Sequence, residues 1–234
     1  MLGAIIFDVD GTLAETEELH RRAFNETFAE AGLDWHWTQA DYTLLLKTTG
    51  GKERIARFIN EIKEDPADFP VAALHAAKTE RYVAMMTQGG ISLRPGIADL
   101  LDQARVSGVR LAVATTTSLP NVQALAWAVF GTSAEQMFEV IASGDMVPAK
   151  KPAPDVYRLA LDSLGLAVGQ VVALEDSLNG LRSAKAAGIR CVVAPGFYSR
   201  DEDLSGADLL LDDFSDLDGL AGLCRSLNLC GENP

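Results

Sequence analysis

The stretch Ala4-Ile5-Ile6-Phe7-Asp8-Val9-Asp10-Gly11-Thr12 decides the fold. Its first four residues form a short apolar run rich in β-branched and aromatic types, the pattern of a strand buried on both faces. The run then breaks into two aspartates and a glycine. In an open α/β sheet, carboxylates at the carboxyl end of such a strand stand in the crevice where ligands bind. A loop in which Asp8 caps a helix and Asp10-Gly11 makes a turn would use the same residues, so the stretch alone leaves both readings standing.

Working outward, the segment 15–90 carries only helical patterns. Leu19, Ala23, Phe24, Thr27 and Phe28 recur at helical spacing within 15–31, which ends at Gly32. Similar patterns cover 38–46, 52–62 and 71–86, the third of the four closed by Asp65-Pro66. A block of helices placed between a first strand and the rest of a sheet predicts a separate helical cap domain over 15–90, with a core formed by 1–14 and 91–234. From Arg94-Pro95-Gly96 onward, strand and helix alternate. Strands are expected over 110–114, 138–142, 171–174, 191–194 and 208–211. Helices are expected over 97–106, 119–129, 153–164 and 177–187, with a last one running to about 229. Alternation of this kind predicts the α/β class with a doubly wound parallel sheet. The sequence has no internal repeat and no low-complexity segment.

At 234 residues the chain is long enough to bury roughly 70–75% of its unfolded surface, so neither a disulfide nor a structural metal is required for stability. A net charge of −13 argues against a nucleic-acid partner, which calls for a basic face. It does not exclude a phosphorylated ligand, because distant surface charges are screened within about 8 Å at physiological salt. No window approaches the ~18 apolar residues of a membrane span, and Asp8 follows the N-terminus too soon for a signal peptide. These features predict a cytoplasmic monomer with neither membrane nor nucleic-acid partners. Of the cysteines, Cys191 lies in an apolar run, and Cys224 and Cys230, six apart on an expected helix, do not share a face. Inert thiols in a reducing compartment are expected.

Three later segments carry polar residues at strand ends or in loops: Thr115-Thr116-Thr117 after Leu111-Ala112-Val113-Ala114, then Lys151-Pro152, then Glu175-Asp176 after Val171-Val172-Ala173-Leu174. Two adjacent acids ending an apolar strand are costly to place without a cation, whereas Ser177 reads as a helix N-cap. Together with Asp8-Val9-Asp10-Gly11-Thr12, and in this order, the set resembles the haloacid dehalogenase (HAD) superfamily, which transfers phosphoryl groups through an aspartyl phosphate. The resemblance implies Asp8 as nucleophile and Asp10 as general acid and then base. It implies that Thr115, the Thr116 N–H and Lys151 meet the phosphoryl oxygens. It also implies Mg²⁺ held by the Asp8 carboxylate, the Asp10 carbonyl and Asp176, with Glu175 as a further carboxylate. These residue types suit phosphoryl transfer, because phosphate esters need a positioned nucleophile, a proton donor and positive charge at the transferring group, and Mg²⁺ is a hard cation that takes oxygen ligands.

The cap segment offers its own signals. Thr48-Thr49-Gly50-Gly51-Lys52-Glu53-Arg54 is a glycine turn opening a helix with two basic residues in its first turn. Cations there oppose the helix dipole unless an anion is present, so Gly50, Gly51, Lys52 and Arg54 read as a second phosphate site; two solvated surface charges are the plainer alternative. Glu17, His20 and Phe24 share one face of the first cap helix, as His75 and Lys78 do on the last, with Arg81 a turn on. The first face would look down on Asp10, placing Glu17 and His20 against sugar hydroxyls, while Thr117 extends the phosphate-facing run after Thr115.

Across its length the chain resembles the CbbY-type phosphatases within this superfamily, through residues 8–17, 50–54, 114–121 and 173–180. That resemblance implies removal of one phosphate from the small-molecule sugar bisphosphate xylulose-1,5-bisphosphate, a Rubisco inhibitor of the Calvin cycle, to give xylulose 5-phosphate. β-Phosphoglucomutases are similar at His20 and Lys78 but differ at Glu17 and Arg54. A receiver-like phosphoacceptor module would also combine acids, a threonine and a lysine on a doubly wound sheet, but not the helical insert after Asp10.

Overall fold

The computed structural model describes residues 1–229; Cys230 and the reading that involves it lie outside them. Six strands form one parallel sheet: β1 (Ala4–Phe7), β2 (Arg110–Ala114), β3 (Val140–Ala142), β4 (Val171–Glu175), β5 (Arg190–Val193) and β6 (Leu209–Leu210). Their order is β3-β2-β1-β4-β5-β6, so β1 is central and the chain reverses its direction of winding on either side of it. That is the doubly wound arrangement expected from the alternating sequence.

Burial explains why β1 is apolar throughout. Ile5 and Phe7 enter one hydrophobic cluster, and Ala4 and Ile6 the cluster on the opposite face. Helices α5 (Ile97–Val106) and α10 (Gly219–Ser226) contribute to the first cluster, and α8 (Asp155–Leu164) and α9 (Leu178–Ala186) to the second. Register does the rest. Phe7 pairs with Val113 on one side and Leu174 on the other, so three strands end level and deliver Asp8, Thr115 and Glu175 to one edge.

Between β1 and β2, four helices stand off the sheet: α1 (Glu17–Glu30), α2 (Gln39–Leu45), α3 (Gly51–Glu61) and α4 (Val71–Met86). They enclose an aromatic cluster of their own built on Phe24, Phe28, Trp37 and Tyr42. The far end of α4 instead joins the sheet cluster: Tyr82, Met85 and Met86 pack there with Val122 and Leu125 of α6 (Leu119–Phe130).

The structure shifts some expected boundaries. Helix α1 starts at Glu17 rather than at 15, because the Thr16 hydroxyl donates to Asp10 instead of capping the helix. The strand expected over 138–142 begins only at Val140. Before it, residues Ala134–Met137 form a short helix, α7, and Phe138 turns into the core as its last cap. Strand β6 is only two residues long, against four expected. Among the described residues, no helix is long and apolar enough to cross a membrane.

Candidate active site

Two adjoining cavities lie between the carboxyl edge of the sheet and helices α1, α3 and α4. One is lined by Asp8, Thr115, Lys151 and Asp176, the other by His20, Gly50, Gly51, His75, Lys78 and Thr117; Asp10, Glu17, Arg54 and Thr116 line both.

At the sheet end, Lys151 is enclosed and donates to Asp8 Oδ1 at 2.6 Å and to Glu175 Oε1 at 2.7 Å. The Tyr157 hydroxyl donates to the same Glu175 oxygen at 2.5 Å. Burial pulls the Lys151 pKa down, but the two carboxylates outweigh it and hold the ammonium charged. The acids respond the other way. Burial lifts Asp8 to about 8, with Glu175 and Asp10 adding to the rise and Lys151 opposing it. Burial, then Asp8 and Glu175, raise Asp176 well above the carboxylate range. Oxygens of Asp8, Glu175 and Asp176 fall within 4.8 Å of one another, and the second oxygen of Glu175 is buried with no hydrogen-bond partner among the described residues. An all-oxygen set with more negative than positive charge fits a hard divalent cation.

The backbone is shaped to the same end. Gly11 has φ +89°, and a Cβ there would meet Asp176 Oδ2 at 2.3 Å, so only glycine both turns the chain and clears the carboxylate. Thr115 is buried beside Asp8's strand, and its hydroxyl accepts the Thr117 N–H at 3.1 Å. The Asn121 amide donates to the Thr117 hydroxyl at 2.8 Å.

The other end of the cleft is built on helices. Asp10 Oδ1 accepts from the Thr16 hydroxyl at 2.5 Å and faces His20 Nε2 at 3.1 Å. His20 Nδ1 in turn meets the Lys78 ammonium, and the imidazole stacks on Tyr82 at 3.9 Å. Burial and Lys78 lower the pKa of His20, so a neutral ring that donates to Asp10 and accepts from Lys78 satisfies all three groups. Burial would raise Asp10, but His20, Thr16 and Lys78 overcome it and bring its pKa to about 2. Burial, helped by Arg54, lowers Lys78 to about 7. Arg54 donates through Nη1 to the Tyr42 hydroxyl at 2.8 Å, which donates to Glu17 Oε2 at 2.8 Å. Its Nε is buried and has no partner among the described residues.

Residues 2–188 match the family model of the haloacid dehalogenase-like hydrolases. The chain is 66% identical over 223 residues to the CbbY protein of Cereibacter sphaeroides, covering 95% of this chain and 97% of that one. It is 46% identical to the plasmid-borne CbbY of Cupriavidus necator, covering 91% and 86%. A crystal structure of a CbbY variant from Rhodobacter sphaeroides in complex with xylulose-(1,5)bisphosphate superposes with a TM-score of 0.93 at 65% identity, over 95% of this chain and 99% of that one. The chain belongs to the CbbY branch of the HAD hydrolases. It is an enzyme, a phosphatase. A β-phosphoglucomutase from Clostridium difficile, with a TM-score of 0.80 at 19% identity and coverage of 98% of each chain, shares the HAD fold.

Within this HAD framework the expected site residues do not all arrive together. Lys52 is exposed and lines neither cavity. The reason lies at the start of α3, where the Glu53 carboxylate meets its own backbone N–H and the Lys150 ammonium at 3.0 Å, so a side chain of the protein takes the place reserved for an outside anion. Gly50 and Gly51 serve a steric purpose: a Cβ at Gly50 would strike Glu53 at 2.2 Å and one at Gly51 would strike His75 at 2.4 Å. His75 stands beside that turn, its pKa lowered to about 4 by burial and the neighbouring lysines. Arg81 turns away to Glu26 and Glu30. The sequence reading passed over Tyr42, Tyr157, Arg94 and Ser199. Arg94 is buried and donates to the carbonyls of Gly11 and Ala194, which lie beyond the carboxyl ends of β1 and β5; its place just before Pro95-Gly96 is the only local signal.

Proposed function

We propose that this phosphatase removes one phosphate from a sugar bisphosphate, with xylulose-1,5-bisphosphate as substrate and xylulose 5-phosphate and inorganic phosphate as products. One observation carries the reading: the buried Arg54, whose guanidinium is paired with no carboxylate among the described residues, lines the same cleft as the Asp8 carboxylate. A buried cationic donor left unpaired is costly, and an anionic group relieves that cost. The cleft thus receives phosphate at both ends. The complex of the Rhodobacter CbbY variant with xylulose-(1,5)bisphosphate supports the choice of sugar.

Asp8 attacks phosphorus, the bond from phosphorus to the sugar oxygen breaks, and Asp10 gives that oxygen its proton. Water then hydrolyses the acyl phosphate, with Asp10 taking the proton back. Lys151 and Thr115, which line the cavity together with Asp8, would meet the transferring oxygens. A Mg²⁺ ion would be held by the Asp8 and Asp176 carboxylates and the Asp10 carbonyl, with Glu175 as a further carboxylate of the cluster, and would supply the positive charge that lets a dianion approach these acids. In the structure Asp10 is held as a carboxylate, the form needed for the second step. For the first it must gain a proton, and His20 and Lys78 are the groups in line to deliver it. Glu17, which lines both cavities and is held by the buried Tyr42 hydroxyl, stands where sugar hydroxyls would pass. We take residues 15–90 as a cap that closes over the substrate and excludes water, with 1–14 and 91–234 as the catalytic core.

Phosphate release across a panel of sugar mono- and bisphosphates with Mg²⁺ tests the reading. Preference for a pentulose bisphosphate, with free phosphate appearing in step with monophosphate product, is the expected result. Equal rates on monophosphates, or phosphate returned to a sugar, would refute it.

A further inference from the structure

The loop that follows β5 links the sheet end of the cleft to helix α1. Ser199 is 5% exposed and donates its hydroxyl to the Asp176 carbonyl at 2.6 Å, with Asp176 Oδ2 at 3.2 Å and the Gly196 N–H donating to the same hydroxyl at 2.9 Å. The Asp176 carboxylate has little room to swing. A Cβ at Gly196 would meet its Oδ2 at 2.8 Å, and one at Gly11 would meet it at 2.3 Å. The preceding residue leaves the core: the Tyr198 hydroxyl donates to Glu18 on α1, and its ring packs edge-on against Tyr42 at 5.5 Å. The Phe197 N–H donates to Glu15 at 3.1 Å, ahead of that helix.

We propose that Ser199 is a positioning residue that fixes the Asp176 carboxylate for cation binding, and that Tyr198 ties this setting to the position of helix α1. The inference rests on reading Asp176 as a cation ligand. Both residues line the cavity that holds Asp8, but their side-chain hydrogen bonds run to Asp176 and to Glu18 rather than to Asp8 or Asp10. Ser199 acts through Asp176, as hydrogen-bonding groups around a metal ligand commonly do. With α1 in place, Tyr198 anchors the loop. With the cap swung away, the bond to Glu18 is lost and Ser199 loses its brace. The cation site is thus completed only when the cap is seated.

The test is direct Mg²⁺ binding to the full chain by calorimetry, without substrate, alongside steady-state kinetics. Ser199→Ala is expected to weaken Mg²⁺ binding about tenfold while leaving KM for substrate unchanged at saturating Mg²⁺. Tyr198→Phe is expected to weaken Mg²⁺ binding roughly threefold, with no further loss when Glu18→Gln is added. Wild-type Mg²⁺ affinity in a folded Ser199→Ala protein would overturn the proposal. Should that variant not fold, unchanged affinity in Tyr198→Phe would overturn it instead. Asp176→Asn separates the two levels. If it too binds Mg²⁺ normally, the reading of Asp176 as a ligand is wrong; if it loses the ion while Ser199→Ala keeps it, only the positioning role falls.

Discussion

Lys151 and Lys78 face opposite ends of one cleft, and each is 3% exposed. Burial alone lowers the pKa of any lysine, yet the two part company. Lys151 stands between Asp8 and Glu175, and these two carboxyl groups outweigh its burial and hold it charged. Lys78 has a neutral histidine in contact, Arg54 nearby and the carboxylates Asp10 and Glu17 only beyond, and burial brings it to about 7. The sheet end is therefore built to hold charge still, the helical end to exchange a proton and to admit an anion. What a buried cation does is set by the company the fold gives it.

The sharpest break in that contrast is Asp8→Asn. It removes both the nucleophile and one of the anions holding Lys151, and turnover should fall by roughly three orders of magnitude or more with the circular dichroism spectrum unchanged. Full activity would refute the covalent route. At the opposite end, Arg54→Ala should cost about 10–100-fold in kcat/KM on a bisphosphate and much less on a monophosphate; equal losses on both would remove the second-phosphate role. Lys78 can be tested through stability. Its pKa is about 7 folded against 10.5 ordinarily, so between those values the unfolded chain binds one more proton. Stability should rise with pH over that window, by up to ~1.4 kcal/mol per pH unit from this group. Denaturant unfolding at a series of alkaline pH values should show the rise, and Lys78→Met should remove it. The smallest effect belongs to Tyr42→Phe, which cuts the bridge between Glu17 and Arg54 and should raise KM for bisphosphate by about fivefold at nearly constant kcat.

The sheet end was open to reading from sequence because each contributor sits at a strand end, and parallel register brings strand ends level without any knowledge of side-chain packing. Asp8, Thr115, Glu175 and Asp176 all follow apolar runs of four or five residues. The helical end was read in part. Glu17, His20 and Lys78 follow from helix periodicity, which says which residues share a face. It does not say what that face meets. Tyr42 bonds Glu17 across 25 positions, Ser199 bonds Asp176 across 23 and Tyr157 bonds Glu175 across 18. Such pairs exist only once the tertiary fold is set. The helix-dipole argument for Lys52 is local for a related reason: it does not show that Glu53, paired with Lys150 from another part of the chain, meets the helix end.

Of the three tryptophans, Trp35 and Trp37 lie in or against the aromatic cluster of the helical segment, Trp37 with no exposure, whereas Trp127 on α6 is 59% exposed. Intrinsic fluorescence is thereby divided between the two parts of the molecule. Replacing Trp127 by phenylalanine would leave a tryptophan emission signal arising only from the helical segment, and a stopped-flow trace would then test whether that segment moves when substrate is added, without any added dye.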